Sequence, residues 1–460
     1  MSQRSLKRQN TASSVEEGGE PMDASPKRQR TRILNGADGR SHHPAPITRQ
    51  SSSRSLHDKI PLPLAPEHPG HIFVFGSGDT GQLGLGDEML TRKKPMPLKV
   101  LDDKEIVDIV CGGMHTLAIT REGKLWSWGC NDQRALGRSG EEYEPGPVEN
   151  LENIKIIKAA CGDSISMALS DQGKLFCWGT YRSSEGALGF SKEQSVQSVP
   201  AIFEPLKNEK IVDIAAGSDH CLALTADGFV YGWGNGQQSQ LGRRIIERRK
   251  KNGLIPERLA LKHIKAIGCG SYHSFALSVT GELYVWGLNN YQQCGLWTEE
   301  DYRTPDVVTT PTVITSLLGK GDIKSVVAGE HHSLVLMESG EVYAFGRADS
   351  SQLGLTESEI EQLRVHERNG SAHKKAVGIP TRISTLSNVI QIDSGSNHAI
   401  AVDNKGQAFT WGFGEMMALG TGDEDDVTQP TLLTGQKLEG HKVLRVAAGA
   451  QHTVVLATPE

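Results

Sequence analysis

"GGMHTLAITREGKLWSWGCNDQRALG", residues 112–137, holds the pattern that decides the fold. A Gly-x-x-His opens it, and the next residues, "TLAIT" (116–120), mix apolar and small polar side chains at the period of a strand. The polar-Gly step "REG" (121–123) is a tight turn, and "KLWSWG" (124–129) returns as a second strand, so the stretch reads as a β-hairpin. A polar run then ends at Leu136-Gly137.

The same stretch recurs along the chain. Gly-x-x-His appears as "GSDH" (217–220), "GSYH" (270–273), "GEHH" (329–332), "GSNH" (395–398) and "GAQH" (449–452), and a further copy, "GDSI" (162–165), carries Ile165 in place of His. Each copy is preceded by an apolar strand such as "IVDIVCG" or "IVDIAAG" and followed, after Leu-Gly, by a Pro-bearing one such as "TPTVITSL" or "IPTRISTL". Proline cannot donate to a ladder, so this last strand belongs at the outer edge of its sheet. Four antiparallel strands per unit and seven units make an all-β, seven-bladed β-propeller, in which each sheet covers its neighbours' faces. The final unit stops at "GAQHTVVLATPE" without its Trp-Gly strand, while "HIFVFG" (71–76) supplies such a strand at the other end. The N-terminal strand is therefore expected to complete the C-terminal blade, with the propeller spanning 67–460.

Composition agrees with a globular domain: 37% of the 460 residues are apolar and 23% charged. No apolar run approaches the roughly 18 residues of a membrane span, and the Met1 end lacks the apolar segment of a secretory signal; no membrane association is expected, and a nuclear or cytosolic setting is. The seven cysteines show no ligand spacing, and Cys111, Cys161 and Cys269 share one repeat position, which reads as small buried side chains in a reducing compartment. Residues 1–60 hold 11 Lys/Arg against 6 Asp/Glu, whereas the whole chain is −6, leaving −11 on the remainder. A basic tail on an acidic body suits two kinds of partner, one polyanionic and one with a basic face.

Three segments lie outside the repeat. Residues 1–66, rich in Ser, Pro and Arg, have little to bury and are expected to be a disordered basic tail. "RRIIERRKKNG" (243–253) is a basic connection. In the insertion 355–378, Thr356 and Glu359 have the spacing of a capping box and predict a short helix.

What the repeats share is scaffold, so the functional surface is sought where copies differ. The Gly, Leu-Gly and Trp-Gly positions are structural, and a repeated buried imidazole more naturally satisfies neighbouring polar groups than binds metal; no metal site is expected. A hairpin returns the chain to the face it left, so Gly-x-x-His and the loop after Trp-Gly share one face. There the copies diverge: Asp79, Asp163, Asp219, Glu330 and His331 make an acidic, His-bearing surface without a nucleophile-base pair. The loop after Trp-Gly is nine residues in "GSGDTGQLG", "GCNDQRALG", "GNGQQSQLG" and "GRADSSQLG" but eleven in "GTYRSSEGALG" (179–189). "GSGDTG" matches a dinucleotide fingerprint but leads into a turn and strand, which argues against a nucleotide site of the chain's own.

The repeats "GGMHTLAITREGKLWSWGCNDQRALG" and "GSYHSFALSVTGELYVWGLNNYQQCG" resemble those of the regulator of chromosome condensation family. "RKKP", "AAGSDH", "NNYQQ", "GEHHS", "GTGDEDD" and "GAQHTVVL", in this order, are similar to its chromatin-bound exchange-factor members. The resemblance implies guanine nucleotide exchange on the nuclear GTPase Ran, a regulator without bond-making chemistry, supporting nucleocytoplasmic transport and spindle and envelope assembly in mitosis. It implies no cofactor of the chain's own, since nucleotide and magnesium are held by the GTPase. On the GTPase-binding face it places Asp79, His115, Asp163, Asp219, Arg243, Asn290, His331 and His452. Gln292 stands where the family has a His. An exchange wedge is implied at Tyr181, Arg182, Ser183, Ser184, Glu185, Gly186, Ala187 and Leu188. Nuclear import through an import receptor, and DNA contact, are implied for Lys27, Arg28, Arg30 and Arg32, and nucleosomal histone contact for Arg248 and Arg249. A propeller adaptor without exchange activity is the alternative.

Overall fold

The computed structural model describes residues 59–298, 304–363 and 375–460. Its hairpins follow the pattern above: His115–Thr120 pairs antiparallel with Leu125–Gly129, with Thr116 opposite Trp128 and Leu117 opposite Ser127. In six of the seven repeats the second strand is buried along its whole length rather than on alternate residues, and in the seventh His452–Pro459 is buried up to Ala457. Sheet packing explains this, because both faces of a blade are covered by neighbouring blades and alternation separates two apolar faces instead of core from water.

The described residues form seven four-stranded antiparallel sheets and one separate two-stranded hairpin. The innermost strands of blades 1 to 7 are Ile106–Cys111, Ile156–Cys161, Ile211–Ala216, Ile264–Cys269, Ile323–Ala328, Val389–Ser394 and His441–Ala448. The Pro-bearing strands, among them Gln197–Ile202, Val307–Val313 and Ala376–Arg382, sit at the outer edges as proline requires. Blade 7 closes the ring from both ends of the propeller: His71–Ser77 pairs with His452–Pro459, and Thr91–Pro97 adds the outer edge. Two N-terminal strands, not one, thus complete the C-terminal blade.

At the Trp-Gly position, Trp128, Trp178, Trp233, Trp286 and Trp411 are fully buried, with Phe345 and Phe75 in blades 5 and 7. The glycine that follows is compulsory. Gly412, for example, has φ +108°, and an added Cβ would lie 2.7 Å from the Asn397 carbonyl oxygen.

Adjacent blades are tied by a repeated relay. The His115 Nε2 lies 2.8 Å from Ser166 Oγ of the next blade, and that hydroxyl donates to the Ala135 carbonyl at 2.8 Å. His220 with Ser274, His273 with Ser333, His398 with Thr453 and His452 with Thr116 repeat the arrangement at 2.7 to 3.0 Å. In blade 6 Ala399 holds the hydroxyl's usual position, and Ser394 on the innermost strand takes its place, 3.0 Å from His332 Nε2. Because the hydroxyl's one hydrogen goes to the carbonyl, it accepts from Nε2–H, which sets the neutral tautomer. A second tie runs round the channel mouth through backbone bonds between blades, including Asp163 N to Ser218 O and Ala450 N to Gly113 O.

The channel between the innermost strands encloses about 250 Å³. Cys111, Cys161 and Cys269 line it; Cys161 is buried and the other two are part-exposed, and all seven cysteines are free thiols. Ion pairs reinforce the joints there: Lys158 of blade 2 with Asp213 of blade 3, and Arg445 of blade 7 with Asp108 of blade 1 at 3.8 Å.

The tail boundary needs correction. Residues 59–66, assigned above to the disordered tail, pack on the propeller: Ile60 N donates to Ala226 O at 2.7 Å, and Leu62 and Ala65 rest on the cores of blades 2 to 4. Residues 1–58, including Lys27, Arg28, Arg30 and Arg32, lie outside the described residues. The capping box forms as expected. Thr356 N and Oγ1 both donate to Glu359 Oε2 at 2.8 Å, opening the helix Glu357–Leu363. No described helix is long and apolar enough to cross a membrane.

Burial lowers the pKa of the relay histidines, to about 4 for His115 and His398 and about 3 for His220, His332 and His452. Their unfolded value is near 6.5, so between pH 6.5 and about 4 the unfolded chain binds more protons and stability falls as pH falls. A thermal-melting series should therefore show stability lost below pH 6.5, offset in part by Asp219 and Asp393, which are raised to about 7 and bind protons in the folded chain; a His115→Gln variant with the wild-type pH slope contradicts the relay.

Candidate functional site

One of the seven joints lacks the relay, and the divergent loop fills the gap. Between blades 2 and 3 the His is replaced by Ile165 and the hydroxyl by Cys221, both fully buried. Elsewhere the buried Trp N–H donates to a loop carbonyl, as Trp178 does to Ala135 O at 2.7 Å and Trp286 to Gln240 O at 2.9 Å. The nine-residue loop that would offer this carbonyl to Trp233 is the one replaced by "GTYRSSEGALG". Tyr181 substitutes for it: Trp233 Nε1 donates to Tyr181 Oη at 2.6 Å, and the phenol donates to Cys221 Sγ at 3.4 Å.

From this root a hairpin projects. Tyr181–Ser183 pairs with Gly186–Gly189 as a separate two-stranded sheet, with Ser183 opposite Gly186 and Ser184-Glu185 at the turn. Tyr181 and Leu188 are buried, whereas Arg182, Ser184, Glu185 and Ala187 are exposed. The Arg182 amide donates to Asp219 Oδ1 at 2.6 Å, which places Asp219 at the hairpin's base.

Beside it the channel opens into a cavity of about 420 Å³, whose walls include Asp132, Asp163, Arg182, Tyr272 and Glu330. The carboxyls crowd here with few partners. Loss of solvation raises Asp219 to about 7, with Asp163 adding to the rise and Arg182 opposing it. Asp163 and Glu330 are also raised, in both cases chiefly by desolvation. Asp219, whose shift brings it to about 7, would regain full charge beside a cation, so the mouth can accept a basic group. Further round, the His331 ring lies 4.7 Å from that of Tyr291, with Nδ1 3.3 Å from Gln293 Nε2. Asn290 Oδ1 accepts from Gln293 Nε2 at 3.2 Å in the same sector. Gln292 takes a positive φ and accepts from Thr304 Oγ1 at 2.6 Å.

Asp163, Asp219, the hairpin, Asn290 and His331 are thus on the divergent face, and Asp79 is exposed on its loop, where its carbonyl accepts from Tyr143 Oη at 2.9 Å. His115 and His452 are a correction. Both are fully buried and engaged in the relay, so they are scaffold and present nothing to a partner. Arg243 is tied to blade 3, to Glu257 at 3.3 Å and the Ile255 carbonyl at 2.8 Å. The basic connection forms two short 3-10 turns within Glu247–Leu254, parted by a kink at Arg249; Arg248 and Arg249 are exposed while Lys250 pairs with Glu185 at the hairpin tip. Tyr272 and Gln237 were missed by sequence reasoning; both occupy positions where the copies differ, which was the available signal. Among the described residues no group of three or more His, Cys, Asp or Glu is placed to hold a metal ion.

The sequence profile of the RCC1-like domain matches residues 71–455. This chain belongs to the RCC1-like domain family. Among RCC1-like relatives, the guanine nucleotide exchange factor SRM1 of Saccharomyces cerevisiae is 34% identical, over 93% of this chain and 95% of its own. The human regulator of chromosome condensation is 36% identical over 84% of this chain and 90% of its own. Prp20p of Saccharomyces cerevisiae, solved together with its binding properties to Gsp1p and histones, superposes with a TM-score of 0.81 at 35% identity, covering 87% of this chain and 93% of that one. The same yeast protein is also known with Kap60 bound, at 34% identity and a TM-score of 0.80 over 94% and 97% of the two chains.

Removing the phenolic hydroxyl tests the substituted joint. Tyr181→Phe leaves the buried Trp233 N–H without its acceptor, at a cost of about 1–3 kcal/mol. A lowered thermal midpoint is expected, and an unchanged one would show that the phenol does not replace the loop carbonyl.

Proposed function

We propose that the chain is a guanine nucleotide exchange factor for the GTPase Ran, promoting GDP release and GTP loading at chromatin in the nucleus. The observation that carries this reading is the hairpin at 181–188, rooted beside an acidic channel mouth, in an RCC1-like chain aligned nearly end to end with a named exchange factor. The activity then supports nucleocytoplasmic transport and mitotic assembly.

The mechanism needs no covalent step. A small GTPase holds its nucleotide with P-loop amides, a lysine and Mg²⁺. A partner that prefers the nucleotide-free form must weaken nucleotide binding by the same factor. Asp219 supplies a partly neutralised carboxyl that regains charge against the GTPase's basic groups, and Asp163 and Glu330 add acidic groups beside it. The hairpin supplies a protruding edge that displaces the phosphate-binding loop. Nucleotide and metal stay with the GTPase, and the chain contributes no cofactor. Excess cellular GTP sets the direction of loading.

Lys27, Arg28, Arg30 and Arg32 are assigned to an import receptor and to DNA phosphates, and Arg248 and Arg249 to a histone surface. Prp20p's association with Kap60 and with histones supports these partners. Phosphate contacts of this kind are salt-sensitive, because each releases counterions.

Release of a labelled nucleotide from purified Ran is the deciding measurement. The intact chain should accelerate it, and no acceleration leaves the adaptor reading in its place. Asp219→Ala should slow release about ten-fold, the scale of one charge-assisted contact, and deletion of Ser183 and Ser184 should slow it further. Equal rates in both variants would place the site elsewhere. Removal of residues 1–58 should spare exchange in solution while weakening DNA binding; undiminished DNA affinity would refute the tail's role.

A further inference from the structure

A two-stranded hairpin standing alone is marginal in water, so its orientation has to come from what it leans on. Its root is apolar: Tyr181 and Leu188 share a buried cluster with Leu254, the last residue of the 3-10 segment Glu247–Leu254. This anchors a pivot and leaves the angle of the tip open. The tip meets a closed polar ring. Gln237, on the blade 3 loop after Trp-Gly, accepts from the Ser184 amide at 3.1 Å through Oε1 and donates to Glu247 Oε1 at 3.2 Å through Nε2. Glu247 faces Lys250 at 3.8 Å, and Lys250 pairs with Glu185, the neighbour of Ser184.

The ring joins three separate pieces of chain, and each member is fixed by the others. Gln237 is itself held by its own amide, which donates to Asn235 Oδ1 at 2.9 Å. Lys250 is a quarter exposed, so its charge is more confined than that of an ordinary surface lysine. Its neighbours Arg248, Arg249 and Lys251 point to solvent and add no second contact to the tip.

We infer that Gln237, Glu247 and Lys250 brace the wedge, setting the angle at which its tip meets the GTPase; they are positioning residues for exchange. This rests on the exchange reading above. The acidic mouth supplies affinity for the partner, while the braced tip acts on the phosphate-binding loop. Loosening the brace should therefore lower the rate of nucleotide release at saturating GTPase and leave the GTPase concentration dependence nearly unchanged. Small misplacements of a positioned group have large rate effects.

The test is steady-state exchange on Ran loaded with a fluorescent GDP analogue, comparing wild type with Lys250→Glu, Glu185→Lys, the double swap, and Gln237→Ala. Each single variant should lower kcat roughly five-fold with KM within about two-fold, and the double swap should recover part of the loss, because the 185–250 pair is restored with reversed sign while Glu247 now faces a like charge. Thermal midpoints report folding, and Lys250→Met stands in should the charge reversal fail to fold. Unchanged kcat in Lys250→Glu and Gln237→Ala overturns the inference, as does a double swap no better than its parents or a loss confined to KM. Wild-type protein without exchange activity would instead remove the reading on which the inference rests.

Discussion

A buried imidazole held neutral near pH 7 ties blade to blade, and the rest of the structure depends on that tie. Each relay has one donor N–H, one hydroxyl and one carbonyl, so at six of the seven joints a blade depends on a group from the next, and these bonds form only when the ring is closed. Burial keeps the rings neutral, which allows them to sit between apolar sheet faces without an unpaired charge. The compulsory glycine after each Trp brings the chain close enough to complete the joint.

The exception at blades 2 and 3 is a set of linked replacements. Ile165, Cys221 and Tyr181 replace the imidazole, the hydroxyl and the loop carbonyl together, and the Trp233 N–H finds a partner because of it. Losing the regular loop frees the chain to form a hairpin, and the phenol keeps the joint satisfied. The place where the scaffold departs from its own rule is also where the hairpin leaves the propeller.

Charge is arranged around that departure. The mouth holds Asp163, Asp219 and Glu330, whose proton affinity is raised chiefly by desolvation. The adjacent basic segment gives Lys250 to the hairpin and keeps Arg248 and Arg249 at the surface. Acidic face, hairpin and basic segment are neighbours only because blades 2 and 3 are neighbours.

The sequence by itself determined the seven blades, because Gly-x-x-His, Trp-Gly and edge proline recur with strand periodicity, and each carries a local backbone requirement. It also located the odd hairpin and the carboxyls at 163 and 219, since these differ between copies of one pattern. Depth was not legible. The family resemblance put His115 and His452 on one face with His331, yet the first two lie inside a joint and the third lies at the rim, one residue before its own relay histidine. Only the tertiary structure decided that Ile165 belongs with Tyr181 and Cys221, and that Gln237 and Lys250 meet the hairpin. Those contacts cross blades that are far apart along the chain, and no local spacing encodes which side chain a closed ring brings alongside another.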